Sequence, residues 1–169
     1  MRKIALLVIV LLVFAIAIIG SRDKKERATY KIYSDPEGVF TIQYPEDFKI
    51  SGRGKDNVVL ATVATPKNYL SGTNFSDGKL TIDWSNNPDE IANCLGLTIS
   101  EEVAAGNLYE TKMYKKVYDG DCHTFTYTLH STKIANYDPN AGIEEFDKEL
   151  VQDQFEKIIR SFKFLVNSN

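Results

Sequence analysis

The chain has 169 residues, of which 43% are hydrophobic and 25% are charged, and its formal net charge is −3. This composition is ordinary for a globular protein, and the length allows about one domain once the N-terminal segment is set aside. The net negative charge argues against a nucleic-acid partner, because such partners are bound by clustered basic surfaces.

An apolar segment follows a short basic head at the N-terminus. Residues 4–20 contain no polar side chain and come directly after Arg2 and Lys3. Their length lies between that of a signal-peptide core, about 7–15 residues, and that of a membrane-spanning helix, about 20 residues. We interpret residues 1–20 as an uncleaved signal anchor. The alternatives are a signal peptide cleaved after Ala15-Ile16-Ala17 and a buried core helix, which the missing polar stripe disfavours.

The charges around this segment do not agree on its orientation. Arg2 and Lys3 favour a cytoplasmic N-terminus, whereas the basic residues between 21 and 28 push the other way. A three-residue head is typical of export signals. We therefore expect residues 21–28 to be a charged tether and residues 29–166 to be a domain that faces outside a cell membrane, or that is secreted if the signal is cleaved.

Short strand patterns dominate the first half of this domain. Alternating or β-branched runs between turn residues predict strands at 29–33, 39–44, 47–51, 58–65 and 79–84, with a loop at 67–77. Phe40 and Ile42 share one face of the second run. Leu80, Ile82 and Trp84 share the inward face of the last one.

The clearest hairpin surrounds Asp119-Gly120, a pair typical of a two-residue type I′ turn. Its strands are expected at 107–118 and 121–132, which places Tyr118 opposite Asp121 and Tyr114 opposite Phe125. Alternation along the second strand predicts a core face with Phe125, Tyr127 and Leu129, and a more solvated face with Thr124, Thr126, Thr128 and His130.

Two helices are also predicted. Pro88 followed by Asp89 and Glu90 is typical of a first helical turn, so a short helix is expected at 89–94. Residues 143–160 predict a long helix, followed by a strand at 161–166, because their apolar side chains recur at helical spacing: Ile143, Phe146, Leu150, Val151, Phe155, Ile158 and Ile159. Helices segregated from antiparallel strands indicate an α+β fold with the long helix packed on the sheet.

Both ends of the domain resemble PsbP/Mog1-like domains. Residues 33–45 read Tyr-Ser-Asp-Pro-Glu-Gly-Val-Phe-Thr-Ile-Gln-Tyr-Pro, similar to the turn and strand that open those domains. Residues 155–164 resemble their terminal helix and the edge strand after it. The resemblance implies the same α+β fold over about residues 29–166, as in small exported or anchored bacterial proteins. Its members are mostly binding or assembly factors, and no functional residue is carried over from it.

Cys94 and Cys122 are the only cysteines. A pair of cysteines in an exported domain predicts a disulfide, and two separate buried thiols are the alternative. A catalytic cysteine needs a neighbouring base. His123 follows Cys122 directly, so on a strand its side chain points to the opposite face.

No set of residues has the spacing of a catalytic, cofactor-binding or metal site. His123 is expected opposite Lys116, on the solvated surface, and its odd separation from His130 places the two rings on opposite faces. The run from Asp138 resembles a calcium loop. However, Gly142 stands where an oxygen ligand is needed, which favours a plain turn.

These features favour an extracytoplasmic binding module held at the membrane through residues 4–20, rather than an enzyme. Its partner would be another envelope protein or a small ligand. One alternative is an envelope hydrolase, which needs two carboxylates such as Asp83, Asp89 or Glu101 in one cleft. The other is a purely structural envelope protein.

Overall fold

The computed structural model describes residues 29–54 and 58–165. The predicted anchor and tether lie outside the described residues. Within the described residues no helix has the length and hydropathy to cross a bilayer. The described elements are β1 (Tyr30–Ser34), β2 (Phe40–Pro45), β3 (Lys49–Ser51), β4 (Val59–Ala64), β5 (Phe75–Ser85), α1 (Pro88–Ala92), β6 (Gly96–Ala104), β7 (Asn107–Tyr118), β8 (Asp121–Thr132), a 3-10 helix (Ile134–Asn136), α2 (Lys148–Ser161) and β9 (Lys163–Phe164).

The strands form two antiparallel sheets. The larger has the order β3-β4-β5-β8-β7-β6 and the smaller has the order β1-β2-β9. Helix α2 and strand β2 pack together, and their apolar side chains join those of the large sheet in one core. The predicted α+β arrangement, an antiparallel sheet with a long C-terminal helix packed on it, is therefore the one observed.

The core lies between one face of the large sheet and helix α2. Phe155 of α2 stacks on Tyr127 of β8, with ring centroids 5.5 Å apart. It also lies against Gly78 of β5, where an added Cβ would come within 2.8 Å of the Phe155 ring. Glycine at this position lets the helix approach the sheet closely.

The predicted β7–β8 hairpin is confirmed in position and register. Tyr118 pairs with Asp121 and Tyr114 with Phe125. Asp119 and Gly120 both have positive φ, as a type I′ turn requires. Phe125, Tyr127 and Leu129 are buried, while the threonines of the other face remain partly exposed.

The predicted start of the long helix is wrong. The helix begins at Lys148, and Asp147 caps it by accepting a hydrogen bond from the Leu150 backbone N–H. The backbone before the helix pairs with a loop instead. Glu144 forms a β-bridge with Thr73, and the Phe146 N–H donates a hydrogen bond to the Asn74 side chain. The apolar spacing extended the predicted helix towards the N-terminus because Phe146, which lies just before the observed helix, is also buried.

Strand β6 is absent from the sequence prediction, which assigns no element to residues 95–106. It pairs with β7 from Gly96 to Ala104 through a second two-residue turn, Ala105-Gly106, in which both residues have positive φ. Alanine rarely takes this conformation, so the turn lacks the sequence signature that marks Asp119-Gly120. Other boundaries differ as well: β5 already begins at Phe75, α1 ends at Ala92, and β3 and β9 are shorter than predicted, at Lys49–Ser51 and Lys163–Phe164.

Candidate functional site

Strand β6 forms a long free edge of the large sheet. It is nine residues long, and all nine are exposed. Within residues 29–54 and 58–165, it pairs with β7 on one side and with no strand on the other. In an antiparallel ladder, every second residue of such a strand points its backbone N–H and C=O away from its neighbour. The edge therefore offers hydrogen-bonding groups to an added strand.

The two faces of β6 differ in chemistry. Leu97, Ile99 and Val103, which we call the apolar strip, are exposed by 53%, 64% and 51% respectively. They continue the core-facing side of the sheet, because Leu97 pairs with Tyr114 and Tyr114 with the buried Phe125. The opposite face carries Thr98, Ser100 and Glu102.

Helix α2 is tied by polar contacts to β7. Lys112 donates to Gln152 at 3.2 Å and forms an ion pair with Glu156 at 3.5 Å, and the Tyr114 hydroxyl donates to Glu156 at 3.3 Å. Lys148 at the helix start pairs with Glu110. These contacts fix the helix over β7 and β8, and the apolar strip on the next strand remains exposed.

A cleft of about 360 Å³ opens where β5 leads into α1. Trp84 lines it and also packs against the core, in agreement with the predicted inward face of β5. Asp83 and Glu90 contribute carboxylates, and its remaining lining residues are Val58, Ser85, Asn86 and Thr124. An aromatic ring beside hydrogen-bonding side chains is a common setting for a small polar ligand.

A second cleft, of about 320 Å³, lies beside the start of α2 and contains Glu101 and Glu110. These two carboxylates face each other across β6 and β7, a like-charged pairing that is unfavourable and that Lys148 offsets at Glu110. Asp83 lines the first cleft, Glu101 the second, and Asp89 lines neither. The structure therefore does not bring together the carboxylates named for a hydrolase.

Cys94 and Cys122 are brought to disulfide-bonding distance, with their Cα atoms 5.5 Å apart and both side chains buried. The geometry supports the predicted pairing. The cysteine pair holds the end of α1, and the chain that leads into β6, at the start of β8. Among the described residues, no group of three or more His, Cys, Asp or Glu side chains could hold a metal ion.

The prediction that His123 is a solvated surface residue is wrong. It does lie opposite Lys116, but its side chain is only 2% exposed. The rings of Tyr118, Phe162 and Phe164 surround it, with centroid distances of 5.4 to 5.8 Å. Burial lowers the pKa of His123, and its Nδ1 has no hydrogen-bond partner among the described residues.

The structure also contains a buried ion pair that the sequence did not predict. The Arg53 guanidinium donates to both carboxylate oxygens of Asp35, at 3.1 and 3.2 Å. The Asp35 side chain is fully buried and also accepts a hydrogen bond from the Val39 N–H. The hydrogen bond with Asp35 raises the pKa of Arg53. The pair connects the turn after β1 to the loop after β3, which is a structural task.

No protein-family model and no curated protein matches the chain. Solved structures similar to it include PsbP (CyanoP) from Synechocystis sp. PCC 6803, with 14% identity over 85% of this chain and 97% of that one and a TM-score of 0.39. The Saccharomyces cerevisiae Ran-binding protein Mog1p has 9% identity over 82% and 96% of the two chains, with a TM-score of 0.48. A Bacteroides thetaiotaomicron VPI-5482 protein, half of which is covered, has 11% identity and a TM-score of 0.48.

Proposed function

We propose that this chain is an extracytoplasmic, membrane-tethered binding module without catalytic activity, and that it binds an extended strand of another polypeptide chain along β6. The observation that carries this proposal is the nine-residue edge strand exposed along its whole length. An added strand would satisfy the outward backbone groups of β6, the mode of recognition known as β-augmentation.

The edge lacks several of the features that normally prevent strand addition. Natural edge strands are shortened, bent by bulges, or guarded by proline or charged side chains, lysine above all. Of these features β6 carries only charges, at Glu101 and Glu102. Residues Gly96 to Ala104 include neither lysine nor proline, and their pairing with β7 runs without a register shift. By contrast, β3 at the other edge of the same sheet has only three residues. The difference makes β6 the favoured place for a partner strand.

The apolar strip supplies the second part of the interaction. Its three side chains lie on the core-facing side of the strand together with Glu101, and alternate side chains of an added strand would pack beside them. Covering apolar surface contributes about 25 cal/mol per Å², and hydrogen bonds to the open edge add geometric specificity. Glu101 and Glu102, near the middle of β6, favour apolar, hydroxyl-bearing or basic side chains opposite them.

The location of the module is inferred from the sequence and from the cysteine pair. The apolar residues 4–20 after a short basic head favour insertion into a membrane. A buried cysteine pair at bonding distance favours an oxidising compartment. Together they support a domain held at the outer side of the membrane, where a partner would be another envelope protein.

A small polar ligand in the cleft beside α1 is the second candidate. Trp84 offers an aromatic surface there, and Asp83 and Glu90 offer acceptors. Such a ligand would be retained by a protein whose β6 edge is blocked, so the two candidates are separable.

The test compares two matched substitutions in the full chain in its native membrane. Ile99 on β6 and Ile32 on β1 are exposed by 64% and 68%. Ile99→Lys should reduce complex formation, measured as cross-linked product, by about ten-fold, because it removes an apolar contact and puts a guarding charge on the edge. Ile32→Lys should leave it unchanged. Equal effects of the two substitutions would contradict β6 as the binding edge.

A further inference from the structure

We propose that the strand bound by β6 is β6 of a second copy of this chain, in an antiparallel pair whose two-fold axis passes through Ser100. The inference rests on the proposed function, since it names the partner of the same edge. It follows from the order of residues along β6, which reads Gly-Leu-Thr-Ile-Ser-Glu-Glu-Val-Ala from Gly96 to Ala104.

Ser100 is the central residue of the strand. When it faces Ser100 of a second copy, all nine residues find an opposite residue. Leu97 then faces Val103 of the second copy, and these two side chains belong to the same face of the sheet. Leu97 and Val103 of the two copies thus form apolar contacts near both ends of the paired strands, and the isologous contact requires no surface other than β6.

The charges on β6 are compatible with this register and disfavour the one centred on Glu101. Both carboxylates lie in the C-terminal half of the strand, at Glu101 and Glu102, while the N-terminal half carries apolar and hydroxyl side chains. Antiparallel pairing about Ser100 places Glu101 opposite Ile99 and Glu102 opposite Thr98. Like charges directly opposite each other would be destabilising, and this register contains no such pair.

Neighbouring registers pair the residues of the two strands less favourably. Moving the axis to Glu101 puts two identical carboxylates opposite each other. Moving it to Ile99 leaves Val103 and Ala104 without partners inside the strand. A shift by a single residue joins the core-facing side of one copy to the outer side of the other, because side chains alternate along a strand.

The axis through Ser100 runs perpendicular to the sheet. Two six-stranded sheets become one continuous sheet, and the α2 helices of both copies remain on the same side of it. The same symmetry leaves both chains entering β1 from the same side, which is compatible with two tethers in one membrane. The other edge of each six-stranded sheet is β3, which has only three residues.

Cysteine cross-linking in the full chain, in its native membrane, tests the pairing and its register. Ser100→Cys should form a covalent dimer under mild oxidation, about ten-fold more than Lys79→Cys on the open sheet face, because disulfides need Cα atoms within about 7 Å. The native cysteines are buried and paired.

Two further variants read the register and do not depend on Ser100. Thr98→Cys and Glu102→Cys should each cross-link weakly alone, and should form a heterodimer when the two are co-expressed. Strong cross-linking of Thr98→Cys with itself, or no dimer above the Lys79→Cys level in any of these variants, would overturn the proposal.

A photo-crosslinking side chain at Ile99, compared with one at Ile32, separates this inference from the proposed function. A product at twice the chain mass supports the self-pairing. A product of another mass, without a Ser100→Cys dimer, overturns the self-pairing and leaves strand binding at β6 standing. Equal yields at Ile99 and Ile32 would contradict both.

Discussion

The two histidines of β8 differ in burial because they lie on opposite faces of the strand. His130 lies on the partly exposed face of β8, bonded to Asp77 at 3.0 Å and stacked on Tyr109. His123 lies on the opposite face, as their odd separation predicts. That face is the core, so the alternation that buries Phe125 also buries His123. The sequence contains this information, because the same period covers both residues.

Burial of His123 makes stability depend on pH. The folded-state pKa of His123 is lowered, so the unfolded chain binds a proton there at a higher pH than the folded chain does. The free energy of unfolding should therefore be constant above about pH 7.5 and fall as the pH drops below about 6.5, levelling off below the folded-state pKa.

Urea unfolding of the full chain, followed through the fluorescence of the single tryptophan Trp84, measures this pH dependence. His123→Phe should flatten the dependence between about pH 7 and pH 5, because it removes the titrating group responsible. His130→Phe should keep the slope, since His123 remains. An unchanged slope in His123→Phe would show that other groups cause it.

At the level of elements, α1 depends on its covalent attachment. The helix spans only Pro88–Ala92, and none of its residues is buried. Helices this short are unstable by themselves in water. The attachment of Cys94 to Cys122, 28 residues away, holds this segment on β8 and lowers the conformational entropy of the unfolded chain.

Replacing both cysteines by serine should lower the free energy of unfolding by about 3–4 kcal/mol, the chain-entropy value for a loop of this length. The full chain should otherwise keep the register of β7 and β8, which other contacts fix. Urea unfolding with and without reductant measures the loss. If reductant destabilises the double variant as much as the native chain, the cysteines are not the cause.

At the level of the whole molecule, the proposed topology makes a prediction about access. A cysteine at the exposed Ser71 should react with a membrane-impermeant maleimide in intact cells, because the domain is expected outside. Arg2→Cys, in the basic head, should react only after permeabilisation. The native cysteines are paired and contribute little background. If Ser71→Cys also needs permeabilisation, the domain faces the cytoplasm.

The sequence by itself determined the elements that combine a buried alternating face with a recognisable turn. The β7–β8 hairpin is the clearest case, because Asp119-Gly120 fixes its turn and Phe125, Tyr127 and Leu129 fix its face. The cysteine pairing was also predicted, since only one pair exists. A turn signature, an alternating face and a single possible cysteine pair can each be recognised without knowledge of the tertiary packing.

Tertiary structure alone decided β6 and the start of α2. Strand β6 has no buried face, so its conformation comes from pairing with β7; the alternation of Leu97 and Ile99 with Thr98 and Ser100 was the one local signal. Helix α2 starts late because residues before Asp147 bond to a distant loop. The free edge proposed as the binding site exists only after the sheet has formed, and no local pattern specifies which strand ends a sheet.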